Sequence, residues 1–335
     1  MRLPGCLTTA ATLMTLLIGL AAPAGAECVG QNLLDTMPAA EREGLRARAG
    51  AVPYPAGNLW QATRDGQLLH LVGTYHLSDP RHAATMARLD PLIAGADTVL
   101  VEAGPEEETA LMNHIARDPS VMMVTEGATL ADTLPPEEWT QLMAAMRARG
   151  LPPFMAAKFR PWYVTVVLSI PPCAMEQATK EQGLDKLVID TATRDGIPIG
   201  ALEPYDTVFD IFGQMDEEEQ LAMVRSTLAT EGQSEDYHRT LADAYFAGES
   251  RLTWELMRDL ALQMPGYTPE QVEAEFAAME EALMNARNRK WIAVIEKAAA
   301  KGPAFVAFGA LHLSGEQGVL NLLARDGWVL TRLDG

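Results

Sequence analysis

Basic residues are scarce in this sequence, which carries 26 Lys and Arg side chains against 45 Asp and Glu side chains. Nucleic acids and anionic membranes are recognised through basic surfaces, because both carry dense negative charge. A chain with a formal net charge of −19 lacks the excess of positive charge that such partners require. We therefore expect no nucleic-acid partner and no attraction to an anionic membrane surface.

Several signatures of well-known enzyme classes are also missing. The sequence has no Gly-x-Ser-x-Gly elbow, no P-loop, no His-Glu-x-x-His and no Cys-x-x-Cys. These absences argue against a serine hydrolase of the elbow type, a P-loop NTPase, a zincin and a thioredoxin-like redox protein. A serine nucleophile at Ser78 or Ser314 stays an alternative, although helix capping is the role expected for both.

The one long apolar run near the N-terminus is short for a membrane span, which needs about 20 residues. Arg2 precedes an apolar stretch from Ala11 to Ala22, and Ala24-Gly25-Ala26 follows it. A charged start, an apolar middle and a small-x-small site are typical of a secretory signal peptide. We expect residues 1–26 to be removed, which leaves a periplasmic or secreted protein without stable membrane insertion. A retained N-terminal anchor is the alternative.

Cysteine is rare, and its positions matter for that reason. Of three Cys residues, two lie beyond the predicted signal peptide, at Cys28 and Cys173. In an oxidising compartment an even pair of cysteines favours a disulfide. The sequence therefore predicts a bridge between them, with two unpaired buried thiols as the alternative.

Strand-like segments lie near both ends of the chain and helical patterns fill the middle. Residues 67–72, 98–101 and 304–308 are apolar and strand-like, whereas residues 205–301 are almost entirely helical in pattern. No stretch rich in Gly, Ser or Pro marks a linker. We predict an α+β fold with a mixed central sheet built from both ends of the chain. Residues 27–335 form a single domain in this interpretation, with a helical insertion at about 205–301.

One six-residue pattern occurs twice, each time directly after a strand-like run. Gly73-Thr74-Tyr75-His76-Leu77-Ser78 and Gly309-Ala310-Leu311-His312-Leu313-Ser314 share Gly-x-x-His-Leu-Ser. Loops at the carboxyl ends of strands are where sheets of this kind gather their functional groups. If the two strands are neighbours, His76 and His312 face one cleft, where imidazoles can bind a divalent metal or move protons. Two ordinary, partly buried histidines are the alternative.

Two acidic residues end strand-like runs in the same manner. Glu102 follows Thr98-Val99-Leu100-Val101, and Glu203 follows Ile199-Gly200-Ala201-Leu202. A buried carboxylate is costly unless it meets a cation or a donor, so each requires a partner or exposure at the strand end. Arg287, in a basic cluster late in the helical stretch, is the candidate that neutralises a carboxylate or a developing oxyanion. A solvent-exposed helix face is the alternative for Arg287.

These residues together resemble the TraB/GumN family, which is related to the Tiki metalloproteases and, more distantly, to erythromycin esterase-like and ChaN-like proteins. The resemblance spans about residues 60–333, although Tyr75 stands where Ile is common. It implies an α+β fold with two Gly-x-x-His motifs and a Glu at one site, associated in Tiki-like members with metal-dependent peptide cleavage. The matching pieces are Leu71–Leu77, Val101-Glu102, Gly183-Leu184-Asp185, Leu202-Glu203, Arg287-Asn288, Gly309–Leu313, Gly318–Leu323 and Gly327-Trp328.

We therefore hypothesise a metal-dependent, peptidase-like hydrolase that acts on a peptide or small-molecule substrate. His76, His312, Glu102 and Glu203 are the predicted ligands of a divalent metal. Glu102 is also the candidate base, and Arg287 the candidate catalytic group that stabilises charge. The alternatives are a metal-independent esterase-type hydrolase, in which a His activates water, and a non-catalytic protein that binds metal or haem.

Overall fold

The structure is a computed structural model that describes residues 28–179, 183–264 and 266–335. The predicted signal peptide, residues 1–26, lies outside the described residues. The strands are β1 (Leu59–Arg64), β2 (Gln67–Thr74), β3 (Thr98–Val101), β4 (Ile199–Ala201), β5 (Ala304–Gly309) and β6 (Val329–Arg332).

Helices account for most of the remaining ordered chain. The α-helices are α1 (Leu33–Thr36), α2 (Ala39–Ala49), α3 (His82–Ala94), α4 (Pro105–Arg117), α5 (Leu130–Thr133), α6 (Pro136–Ala148), α7 (Pro153–Ala156), α8 (Pro161–Leu168), α9 (Met175–Thr179), α10 (Leu184–Asp195), α11 (Thr207–Gly213), α12 (Glu217–Ala229), α13 (Ser234–Phe246), α14 (Ser250–Leu262), α15 (Pro269–Glu280), α16 (Ala286–Ala299) and α17 (Val319–Arg325). Short 3₁₀ turns lie at Pro119–Val121, Pro172–Ala174, Glu231–Gln233 and Ala310–His312, and Glu281–Asn285 is a π-helical turn.

The six strands form one mixed sheet in the order β4-β3-β5-β2-β1-β6. Strands β4, β3, β5 and β2 run parallel to one another, whereas β1 pairs antiparallel with β2 and with β6. The predicted α+β fold, with a mixed sheet built from both ends of the chain, is therefore confirmed. The parallel strands bring their carboxyl ends to one edge of the sheet, so residues that directly follow them lie near one another.

The chain divides into two compact units. The sheet unit comprises Gln31–Gly104, Gln182–Glu203 and Arg239–Gly335, and it contains all six strands. The helical unit comprises the described residues up to Gly30 together with Pro105–Glu181 and Pro204–His238. The predicted single domain with an insertion at 205–301 stays a prediction.

Each unit buries its own apolar core. In the sheet unit, side chains from opposite faces of the sheet enter two separate clusters, because successive strand residues point in opposite directions. Leu71 and Val306 belong to one cluster, and Val72 and Phe305 belong to the other. In the helical unit the core includes Phe159, which is fully buried.

Helix starts follow the capping chemistry of the sequence in several places. Asp216 and Glu219 form a capping box at the start of α12, and Thr268 and Gln271 form another at α15, with Pro269 as its first residue. The capping role expected for the two motif serines is wrong. The N-cap of α3 is Arg81 and that of α17 is Gly318, because the chain makes further turns before each helix begins.

The predicted disulfide is present. Cys28 and Cys173 are joined within the helical unit, across a sequence separation of 145 residues. Among the described residues, no helix is long and apolar enough to cross a membrane.

Candidate functional site

The two Gly-x-x-His motifs lie side by side at the carboxyl edge of the parallel strands. Strands β2 and β5 are hydrogen-bonded neighbours, with Gly73 opposite Phe308 and Thr74 opposite Gly309. His76 follows the end of β2, and His312 closes the 3₁₀ turn that follows β5. The prediction that the two strands are neighbours is therefore confirmed, and both motifs belong to the sheet unit.

Neighbouring atoms lie so close to the first residue of each motif that only glycine fits there without displacing or crowding them. A Cβ atom on Gly73 would lie 2.8 Å from the Cα atom of Ala310 and 2.6 Å from the Leu313 side chain. A Cβ atom on Gly309 would lie 3.3 Å from both Glu102 Oε1 and His76 Nε2. Glycine therefore lets the second motif pack against β2, and it leaves space between the two functional side chains.

His76 is paired through one ring nitrogen with a carboxylate that the sequence analysis did not select. Its Nδ1 lies 2.8 Å from Oδ2 of Asp185, whose Oδ1 accepts a hydrogen bond from the Thr74 hydroxyl. Asp185 is the second residue of α10, and the backbone N–H of Leu184 donates to the carbonyl of Tyr75, which joins the start of this helix to the motif. The carboxylate thus fixes the orientation of the imidazole.

The other ring nitrogen of His76 is available for chemistry. The His76 side chain is 66% exposed, and its Nε2 has no hydrogen-bond partner among the described residues. The Asp185 carboxylate, which favours the imidazolium form, raises the pKa of His76 to about 9, although partial removal of the ring from water by the surrounding protein acts in the opposite direction. His76 is consequently charged at neutral pH, and its base form becomes populated as the pH approaches 9.

Glu102 lies at the carboxyl end of β3 with both of its oxygens bound. Oε1 accepts the backbone N–H of Gly309 at 2.6 Å, and Oε2 accepts Nη2 of Arg287 at 2.6 Å. Burial alone would raise the pKa of Glu102, but the neighbouring imidazoles and the guanidinium bring it down to about 2. Glu102 is therefore a stable carboxylate whose Oε1 faces the same space as His76 Nε2.

Arg287 stands at the centre of the group with all of its N–H donors used. Nε and Nη2 bind the two oxygens of Glu203 at 2.8 and 2.6 Å, and Nη2 also binds Glu102. Nη1 donates to the carbonyl of Leu283 at 2.9 Å and lies 3.2 Å from His312 Nε2. Because a guanidinium has five N–H bonds, Arg287 has no donor left for a substrate in this arrangement. It neutralises carboxylates, and its charge reaches a bound molecule only through space.

A π-helical turn places Arg287 where these contacts are made. Glu281–Asn285 has π-helical hydrogen bonding, and α16 begins directly after it. Such turns insert an extra residue into a helix and are frequent at functional sites, because they redirect the side chains next along the chain. Leu283, within the turn, supplies a carbonyl that Arg287 binds.

His312 lies in an environment unlike that of His76. It is only 6% exposed, its Nδ1 lies 2.6 Å from Oδ1 of Asn288, and its ring packs at 4.4 Å from that of Trp291. Burial, with a contribution from the neighbouring positive charges, lowers the pKa of His312 to about 3. His312 is thus neutral across the physiological range. Trp291 also donates its indole N–H to Glu203 at 3.0 Å.

The residues predicted as metal ligands do not fit a shared metal in this arrangement, because Arg287 lies between them. One guanidinium binds Glu102, Glu203 and His312, so a metal held by those three side chains would have to displace it. Among the described residues, no group of three or more His, Cys, Asp or Glu side chains is arranged to hold a metal ion. Metal binding by these residues stays a prediction.

The structure thus brings all five predicted residues into one cluster, and their functional roles stay predictions. Sequence reasoning missed Asp185 and Asn288, which hold the two imidazoles. Both lie in segments that match the family pattern, and that was the signal available for them. His82, by contrast, is buried with Nε2 on the carbonyl of Leu77 and takes no part in the cluster.

Comparison with known proteins supports the resemblance to the TraB/GumN family. No curated protein sequence matches the chain significantly. The family model described as TraB/PrgY/gumN family matches residues 58–332, which include both Gly-x-x-His motifs and every member of the cluster. That span covers most of the chain. The chain therefore belongs to the TraB/PrgY/gumN family.

Proposed function

We propose that this protein is a hydrolase of acyl compounds, in which the pair His76 and Asp185 activates water. One observation carries the proposal. An exposed imidazole is oriented through Nδ1 by a carboxylate, and its Nε2, beside Glu102, has no partner among the described residues. That combination of an oriented base and an open position beside it is typical of general acid–base catalysis.

The reaction balances with these residues alone. The neutral form of His76 accepts a proton from water at Nε2, while Oε1 of Glu102 accepts a hydrogen bond from the other hydrogen of the same water molecule. The water oxygen attacks the acyl carbon, and the electron pair of the carbonyl bond moves to oxygen. The imidazolium of His76 then gives its proton to the leaving nitrogen or oxygen, the acyl bond breaks, and an acid and an amine or alcohol are released.

Each remaining residue supports that step at a stated atom. Asp185 holds the Nδ1 hydrogen of His76 and stabilises the imidazolium as it forms. Arg287 and the Gly309 N–H keep Glu102 ionised and directed at the water. Glu203 binds Arg287 through both of its oxygens and so orients the guanidinium. Arg287 stabilises charge through space, because its donors are already engaged.

A second candidate is the metal-dependent, peptidase-like hydrolase expected from the family. One observation favours it: both imidazoles bind a side-chain oxygen through Nδ1, as metal-bound histidines do. A divalent metal would supply a water of lowered pKa. Binding of metal or haem without catalysis is the third alternative. The proposed location is the periplasm or the extracellular space, which the disulfide supports.

A screen of peptide, amide and ester substrates with the exported, disulfide-bonded protein tests the proposal. We expect hydrolysis that survives thorough chelation and is lost in His76→Gln. The matched control is His114→Gln, because His114 lies in the helical unit, where it contacts Tyr205 and Phe209. Loss of activity on chelation, with recovery on adding Zn²⁺ or Mn²⁺, would favour the metal-dependent candidate. No hydrolysis by a protein that binds metal or haem would favour the third.

A further inference from the structure

The environment of His312 fixes the direction of a hydrogen-bond chain that begins at Asn288. The Asn288 amide nitrogen donates to the carbonyls of Gln317 at 2.9 Å and of His312 at 3.4 Å. Carbonyls only accept, so the atom facing them must be the nitrogen and the atom facing the imidazole must be Oδ1. Oδ1 lies 2.6 Å from His312 Nδ1 and therefore accepts a hydrogen bond from it.

This assignment determines the tautomer of the imidazole. If Nδ1 carries the hydrogen in the neutral ring, Nε2 carries a lone pair. That lone pair faces Nη1 of Arg287 at 3.2 Å, and a guanidinium only donates. The opposite tautomer would place two hydrogens against each other at Nε2 and two acceptors against each other at Nδ1. Both neighbours of His312 thus select the same form.

Arg287, which donates to His312, also connects this chain to the open part of the site. Arg287 donates through Nη2 to Oε2 of Glu102 at 2.6 Å, and the second oxygen of Glu102 accepts the Gly309 N–H. That second oxygen and Nε2 of His76 would each lie 3.3 Å from a Cβ atom on Gly309, so both border the same space. We call this hydrogen-bonded series of Asn288, His312, Arg287 and Glu102 the relay. The position of the Glu102 carboxylate therefore depends on a series of contacts that begins at Asn288.

We infer that Asn288 and His312 are positioning residues, which hold Arg287 and through it Glu102, and that His312 neither carries protons nor binds a metal. Burial is consistent with this assignment. Asn288 is 1% exposed and His312 is 6% exposed, whereas the side chain of His76 is 66% exposed. The two copies of the motif have then diverged in role, one acting on substrate and the other acting through an arginine.

The first test is the protonation state of His312 in the wild-type protein. Long-range ¹H–¹⁵N NMR of protein labelled at its six histidines distinguishes the two neutral tautomers and the imidazolium. A His312→Gln variant identifies the resonance. At pH 7 we expect the form with hydrogen on Nδ1 alone. A hydrogen on Nε2, whether in the other tautomer or in the imidazolium, overturns the inference.

Addition of Zn²⁺ alone distinguishes an arginine partner from a metal partner. Because Nε2 of His312 is already bonded to Arg287, we expect its ¹⁵N resonance to stay unchanged when Zn²⁺ is titrated into the labelled protein. A shift of that resonance to a metal-bound value overturns the inference. This result does not depend on any substrate being known.

Removal of the acceptor on Asn288 tests the relay itself. In Asn288→Leu we expect kcat to fall about 100-fold with KM unchanged, because His312 and Arg287 are then held less firmly and the relay acts without touching substrate. Asn321→Leu is the matched control, since Asn321 also donates to a backbone carbonyl, that of Glu316, but lies outside the relay. A kcat for Asn288→Leu equal to that of Asn321→Leu contradicts the inference.

The activity measurement rests on the proposed function, whereas the NMR measurements do not. Absence of hydrolysis by the wild type would therefore count against the proposed function alone. A wrong tautomer in an enzyme that still requires His76 would count against the relay alone.

Discussion

The two motif histidines occupy the same position of a six-residue pattern and have opposite protonation behaviour. The Asp185 carboxylate raises the pKa of His76 to about 9, whereas burial beside Arg287 lowers that of His312 to about 3. When the surroundings move the pKa values of two such groups apart, one group can carry a proton while the other stays neutral. The pairing of His76 with Asp185 also links to stability. A raised pKa gives stabilisation that is fully present below pH 6.5 and is lost as the pH rises through about 9.

At the residue scale, replacement of Arg287 by lysine tests whether the fork of the guanidinium is required. Lysine keeps the charge but cannot bind both oxygens of Glu203 while also reaching Glu102 and His312. We expect Arg287→Lys to lower kcat/KM by about 10²–10³-fold, the range observed when one preorganised electrostatic group is removed. Steady-state kinetics on the substrate found in the screen measures it.

Arg289→Lys is the control for that substitution. Arg289 lies two positions farther along α16, is 45% exposed in its side chain, and pairs with Glu281 at the surface. Exposed pairs of this kind contribute about 0–1 kcal/mol, so its activity and stability should stay near those of the wild type. Equal activity of the two variants would contradict the role assigned to Arg287.

At the element scale, the site depends on four parallel strands ending at one edge. Glu203, Glu102, Gly309 and His76 lie at or just beyond the ends of β4, β3, β5 and β2, in the order in which those strands lie in the sheet. Adjacent strands are about 4.8 Å apart, so side chains of this length reach one another without any further element. Helix α16 supplies Arg287 and Asn288, and helix α10 supplies Asp185.

The contact between β2 and the 3₁₀ turn after β5 is the most sensitive part of this arrangement. A Cβ atom on Gly73 would lie 2.8 Å from a backbone atom of Ala310, which cannot move without shifting the second motif. We expect Gly73→Ala to lower the free energy of unfolding by about 1–3 kcal/mol, as overpacking does. Denaturant titration followed by tryptophan fluorescence measures the change.

Gly44→Ala provides a control in the same unit. Gly44 lies inside α2, and a Cβ atom there would meet only the end of the Arg48 side chain at 3.8 Å. Alanine inside a helix should raise stability by about 0.5–1 kcal/mol relative to glycine. If Gly73→Ala were as stable as the wild type, the close packing of the second motif against β2 would be wrong.

Sequence patterns predict the strand-end residues but not their supporting partners. Glu102 and Glu203 are visible because each interrupts or ends an apolar run, which is a local signal. Asp185 begins a helix 109 residues from His76, and an acidic residue in the first turn of a helix is ordinary. Asn288 is equally inconspicuous. The π-helical turn before Arg287 is defined by its backbone hydrogen bonds, and no residue type in the sequence predicts it.

At the scale of the whole molecule, the disulfide ties the start of the described chain to its middle. Cys28 and Cys173, 145 residues apart, close a long loop, and closing a long loop removes much freedom from the unfolded chain. We expect the double variant Cys28→Ser/Cys173→Ser to lose about 2–5 kcal/mol of stability. Thermal or denaturant unfolding measures the loss.

Reductant supplies the control for the disulfide. It should lower the Tm of the wild type towards that of the double variant, and it should leave the Tm of the double variant unchanged. If complete reduction of the disulfide left the Tm of the wild type unchanged, the bridge would contribute no stability. The outcome bears on the proposed extracytoplasmic location, where such a bridge persists.

The central claim is that the base form of His76, oriented by Asp185, performs the chemistry. The most direct measurement is the dependence of kcat/KM on pH in metal-free buffer, for the wild type and for Asp185→Asn. Because the pKa of His76 is raised to about 9, the wild-type rate should rise with pH and level off above about pH 9. Loss of the carboxylate should move the midpoint down towards 6.5, the ordinary value for histidine, and lower the plateau.

Asp190→Asn is the matched control, since Asp190 lies on the same helix and pairs with Lys186 at the surface. Its profile should coincide with that of the wild type. A wild-type profile that is flat from about pH 6 to 10, or a midpoint that Asp185→Asn leaves in place, would contradict the assignment of His76 as the base.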